Sequence, residues 1–160
     1  MNTEHLSVIL QKLNIDFKLI KKTKAEVIVQ CFFPFQKGSF RCNIEISKLE
    51  IGMVLFNFEF PSAVPRIYLP NMTEMVVLLN NQLQIGCWEI DLNRGSVRFR
   101  ISYLAETESV STELILVENL LCGSEIMKAA YPGLLSVIVD GCSATDAYMA
   151  MNRMTDYKLN

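Results

Sequence analysis

The sequence predicts an α+β fold in which helices cover an antiparallel sheet. Three observations carry this expectation. Residues 84–103 alternate apolar and polar on both sides of Asn93-Arg94-Gly95, which is a β-hairpin signal. Segments 25–33, 39–47 and 53–60 are rich in β-branched and aromatic residues or alternate with period two. Apolar residues recur at helical spacing before, between and after these strands.

Residues 4–13 place Leu6, Ile9, Leu10 and Leu13 on one helical face, with Thr3 as a cap and Asn14 as the end. A helix this short needs a surface to lie on. Phe17, Leu19 and Lys21 read as a short extended piece. In 25–33, Val27, Val29, Cys31 and Phe33 share one face, with Ile28 and Phe32 on the other. Pro34 and Gln36-Lys37-Gly38 predict a turn. In 39–47, Phe40, Cys42, Ile44 and Ile46 oppose Arg41, Asn43, Glu45 and Ser47, the pattern of a half-buried strand. Residues 48–52 turn the chain. The strand 53–60 sets Val54, Phe56, Phe58 and Phe60 against Met53 and Leu55, and Pro61 to Pro65 ends it.

A helix is expected within 66–83, starting at or after Pro70-Asn71. Met72, Met75, Val76, Leu79 and Leu83 form its apolar face; Asn80, Asn81 and Gln82 look outward or toward the C-cap. After the hairpin, 104–111 is a polar loop. Ser111 or Thr112 caps a long helix carrying Leu114, Val117, Leu120, Leu121, Met127 and Tyr131. Gly123 interrupts it at about 1 kcal/mol relative to alanine, either to admit a close neighbour or without consequence. Pro132-Gly133 predicts a kink or an end at Tyr131. Residues 134–140 fit a strand or a helix; the helix is preferred because it makes Pro132 a first-turn residue. Gly141 breaks it. Ala144, Ala147, Tyr148 and Met151 suggest a short helix over 143–154, fraying from Asp156.

A chain of 160 residues makes one domain, 1–160, large enough to bury a core. Only 20% of it is charged, and the formal net charge is −2. So little charge can leave apolar surface for a partner, although a mixed core with a small polar surface is the plainer account. The balance argues against a general nucleic-acid binder. The five cysteines, Cys31, Cys42, Cys87, Cys122 and Cys142, are odd in number and form no CxxC, so neither a disulfide framework nor a zinc site is expected. The opening MNTEHL leads into an amphipathic pattern, and no apolar stretch reaches membrane-spanning length. Cytoplasmic residence, reduced thiols and no membrane contact are therefore expected.

Signs of chemistry are few. His5, the single histidine, reads as a surface helix residue. The glycines form no phosphate loop. Phe56, Phe58 and Phe60 read as core rather than as an RNA-stacking platform, because Glu59 lies among them. Met127, Met149, Met151 and Met154 fill core gaps or form an adaptable binding face. The one charged cluster lies on the hairpin: Glu89 and Asp91 on one strand, Arg98 and Arg100 on the next. With Leu92 opposite Val97, Asp91 faces Arg98 and Glu89 faces Arg100. Such cross-strand pairs set register and contribute about 0.2–1 kcal/mol each. The functional alternative is a charged groove that holds an anion through arginine.

Leu78, Leu79 and Asn80, then Leu83, Gly86, Trp88-Glu89-Ile90-Asp91, Gly95 and Val97-Arg98-Phe99-Arg100 resemble the YbjN family, as does the long helix to Tyr131-Pro132 with the apolar stretch to Gly141. The resemblance covers most of 1–142 and is most specific over 78–141; 143–160 reads as a C-terminal extension. It implies a type III secretion chaperone-like fold of order α-β-β-β-α-β-β-α, with an extra C-terminal helix. It also implies a homodimer and a bacterial sensory-transduction regulator without established enzymatic activity. No catalytic, cofactor-binding or metal residues follow from it. The resulting expectation is a non-enzymatic regulatory or chaperone-like module that binds a polypeptide through apolar helix and sheet surfaces. The alternative is a small anionic-ligand sensor using Glu89, Asp91, Arg98 and Arg100.

Overall fold

A computed structural model describes residues 3–35, 38–47, 52–104 and 110–156. α1 (Thr3–Lys12) leads into β1 (Asp16–Lys22), β2 (Glu26–Phe35), β3 (Gly38–Ser47) and β4 (Met53–Glu59). A 3₁₀ turn (Arg66–Tyr68) continues into α2 (Leu69–Asn80), followed by β5 (Cys87–Asp91), β6 (Ser96–Leu104), α3 (Val110–Val139) and α4 (Ala144–Asp156). The six strands form one sheet in the order β1-β2-β3-β4-β6-β5, with every neighbouring pair antiparallel.

This is the expected α+β arrangement, an antiparallel sheet flanked by helices, with one strand more than the α-β-β-β-α-β-β-α order. The extended piece at 17–21 belongs to β1, which pairs along β2 with a bulge at Ile20. Of the turn expected at 48–52 and the loop expected at 104–111, residues 48–51 and 105–109 lie outside the described residues, as do 36–37; Leu104 belongs to β6, and Val110 and Ser111 belong to α3.

The alternation of each strand decides which face is buried. Val27, Val29, Cys31 and Phe33 of β2, Phe40, Cys42, Ile44 and Ile46 of β3, and Val54, Phe56 and Phe58 of β4 are all buried. Val97, Phe99 and Ile101 of β6 and Trp88 of β5 continue this face. Its rings form a band across the sheet: Phe33 to Phe40 at 5.3 Å, Phe33 to Phe58 at 6.1 Å, Phe58 to Phe99 at 6.2 Å and Trp88 to Phe99 at 5.3 Å. Phe56, Phe58 and Phe60 are thus core residues.

The helices pack on this face. Leu6, Ile9 and Leu10 of α1 are buried, and the helix ends where Asn14 turns left-handed (φ 52°), with the Ile15 N–H donating back to the Leu10 carbonyl. Pro34 does not end β2, because Phe35 runs on to pack edge-on against Tyr131 of α3 at 4.9 Å. α2 begins at Leu69, with Pro70 inside its first turn, and buries Met72, Met75, Val76 and Leu79.

α3 departs most from expectation. It is one helix of 30 residues running through Pro132, and Ser111 and Thr112 stand inside it rather than at a cap. Its buried stripe is Leu116, Leu120, Gly123, Met127, Ala130, Leu134 and Val137, an unbroken helical period across the proline. Leu114 and Leu121 point away from the core. Residues 134–139 are helical, Gly141 (φ 65°) breaks the chain, and α4 packs on α2 and α3. Ser143 caps α4: its Oγ accepts the Asp146 N–H at 3.1 Å and donates to the Asp146 carboxylate at 2.7 Å.

Candidate functional site

The charged cluster is built by the β5–β6 hairpin. Glu89 lies directly opposite Arg98 and accepts from its Nε at 2.7 Å, while Nη2 of Arg100 reaches the other carboxylate oxygen at 2.8 Å. The register corrects the expected one. Ile90, not Leu92, lies opposite Val97, and Asp91 lies opposite Ser96, so the hairpin closes one residue earlier on each strand. Asp91 therefore does not face Arg98, and Arg100 has Cys87 rather than Glu89 across from it.

The turn itself causes this shift. The Asp91 carboxylate accepts the N–H groups of Asn93 at 2.9 Å and Arg94 at 3.1 Å, and its carbonyl accepts that of Gly95 at 2.7 Å. Gly95 adopts φ +67°, and a Cβ there would lie 2.4 Å from the Val64 carbonyl oxygen. Leu92 is left in the loop and exposed. Arg94, at 3.9 Å, is the nearest cation to Asp91.

The cluster continues along the sheet face that no described helix covers. Arg41 pairs with Glu59 at 3.0 Å, and Glu59 also accepts from Asn43 at 2.8 Å, which in turn accepts from Gln30 at 2.9 Å. Asn57 donates to Glu45 at 2.9 Å. Asn57 is only 5% exposed, and among the described residues its Oδ1 has no hydrogen-bond partner. This ladder was missed by sequence reasoning. The visible signal was the shared parity of Asn43, Glu45, Asn57 and Glu59 on adjacent strands; only the pairing of β3 with β4 turns that parity into contact.

A hollow of about 850 Å³ opens at the end of this row, between the 61–63 loop and the hairpin. Arg41, Arg94 and Arg98 line it together with Glu59, Glu89 and Asp91, so its charges balance. Exposed ion pairs of this kind contribute about 0–1 kcal/mol each and give no strong field for one sign of ligand.

The thiols sit elsewhere. Cys31 and Cys42 are register partners on the buried face. Burial pushes the Cys31 thiol up to about 12 and the Cys42 thiol well above its usual value, so both stay protonated and unreactive at neutral pH. Among the described residues, no group of three or more His, Cys, Asp or Glu could hold a metal ion. His5 lies on the surface, with Nε2 3.2 Å from Glu113 of α3. No described helix is long and apolar enough to cross a membrane.

The exposed apolar residues gather on helices as well as loops. Leu114, Ile115 and Leu121 lie on the outer side of α3, at 58%, 39% and 44% exposure. Val8 lies exposed on α1, one turn beyond His5. Of the methionines, Met127 is core, Met151 is half-buried against it and Met149 is exposed. No protein-family model matches the chain, and no curated protein matches it.

Proposed function

We propose that this protein is a non-enzymatic regulatory or chaperone-like module that works as a homodimer and binds a polypeptide partner. The observation that carries this reading is the apolar outer side of α3. Leu114, Ile115 and Leu121 stay in water although the same helix buries a full stripe on its other side. Removing them from water in a complex contributes about 25 cal/mol per Å² of apolar surface. An amphipathic partner segment suits such a helix face. The resemblance to the YbjN family points the same way.

The anionic-ligand reading has less support. Arg98 and Arg100 already share Glu89, and an incoming anion would have to displace that carboxylate. A photo-cross-linking residue placed at 118, between Leu114 and Leu121, tests the preferred reading. A polypeptide should be captured by the wild-type surface, and capture should be lost in a Leu114→Lys, Leu121→Lys double variant. Undiminished capture by that variant would count against this contact surface.

A further inference from the structure

We propose that the uncovered sheet face is the dimer interface of this chain, with a two-fold axis running along the strands between β4 and β6. The inference rests on the homodimeric reading above and assigns it a surface, which leaves the α3 side for the polypeptide.

The argument is the order of residues across the face. One row crosses β3, β4, β6 and β5 as Arg41, Glu59, Arg98 and Glu89, with signs alternating. A two-fold axis along the strands reverses the row. Arg98 then meets Glu59 of the second copy, and Arg41 meets its Glu89. The neighbouring row contains Asn57 and Arg100. The same axis brings Arg100 over Asn57, whose Oδ1 has no donor among the described residues. At the far end Met53 and Leu104 are register partners, 38% and 65% exposed, and the axis sets each on the other in the second copy.

The position of the axis is selective. Moved by half a strand spacing, about 2.4 Å, it would lie on β4 or β6 and stack Glu59 on Glu59 or Arg98 on Arg98. The two halves of the face also carry opposite excess charge. Glu45 and Glu59 outweigh Arg41 on β3 and β4, whereas Arg94, Arg98 and Arg100 outweigh Glu89 and Asp91 on the hairpin. Two copies so oriented attract each other. Because the ion pairs exist already within one chain, they supply orientation more than affinity. Met53, Leu55 and Leu104 supply the apolar burial.

Sedimentation equilibrium of the full chain tests this with L104K and M53E, two substitutions at exposed positions that hold no ion pair. The wild type should have the mass of a dimer. Each variant alone should fall to the monomer mass with an unchanged circular-dichroism spectrum, and their equimolar mixture should return to the dimer mass. Where either variant loses its spectrum, Ser102→Arg, placed opposite Leu55 of the second copy, takes its place and should likewise give a monomer. A wild-type dimer indifferent to these substitutions overturns the assignment of this face and leaves the homodimeric reading standing. A wild-type monomer overturns both.

Discussion

Gly123 shows how one residue can set the distance between two layers. A Cβ at this position would lie 2.1 Å from the Phe58 ring, which is fully buried within the aromatic band and has nowhere to move. Glycine costs α3 about 1 kcal/mol of helix propensity, but overpacking a core costs about 1–3 kcal/mol. Gly123→Ala should therefore lower the urea midpoint despite its better propensity; an equal or higher midpoint would contradict the contact. The buried ionisable groups make a second statement at this scale. Burial raises Cys31 from 9.0 to about 12 and Tyr103 from 10.0 to about 12. A raised folded value means that stability is complete below the unfolded pKa and is lost as pH climbs toward the folded one. The urea midpoint should hold at about pH 8 and fall progressively from about pH 9 toward pH 12. A midpoint that stays flat across that window would show that these groups ionise as easily folded as unfolded.

At the scale of elements, the two sheet edges are closed differently. β1 carries a bulge at Ile20 and the exposed lysines Lys18, Lys21 and Lys22, features that discourage a further strand from pairing there. β5 is closed by Asn80, which was expected to look outward from α2 or toward its C-cap. Its Oδ1 accepts the Trp88 N–H at 2.7 Å and its Nδ2 donates to the Trp88 carbonyl at 3.0 Å, so one side chain satisfies both backbone groups that Trp88 turns to the outer edge. Asn80→Ala removes both bonds and should cost about 1–3 kcal/mol. Faster hydrogen exchange at the Trp88 amide would locate that loss, and unchanged exchange would show that the edge is held by other contacts. α3 illustrates competition within an element. Pro132 removes one backbone bond and strains the helix by about 3 kcal/mol. Leu134 and Val137, fully buried beyond it, contribute about 1.5–3 kcal/mol each, so the helix continues.

For the whole molecule, the sheet divides the protein into a helix-packed apolar side and a polar side that the proposed two-fold axis would close. The sequence by itself determined the α+β class, the inward faces of β3, β4, β5 and β6 and the helical period of α1 and α2, because alternation and periodicity are local properties. The unbroken stripe from Leu116 to Val137 was not read as one, because Pro132-Gly133 reads as a kink or an end and because Leu114 and Leu121, which the sequence assigns to the apolar face, point away from the core. The charged residues Glu89, Asp91, Arg98 and Arg100 could be placed on one face by parity alone. Their partners could not: a slide of one residue on each strand preserves every face while changing every pair, and the Asp91-capped turn chose between the two registers. β1 was visible only as an extended fragment, since most of its side chains are exposed and carry little apolar pattern. Only the tertiary structure decided that Asn80 would close β5, that Gly123 would rest on Phe58, and that Arg41 and Glu59 would join the hairpin charges in one row. Those contacts join residues far apart in the chain, and side-chain periodicity holds no record of which strand becomes whose neighbour.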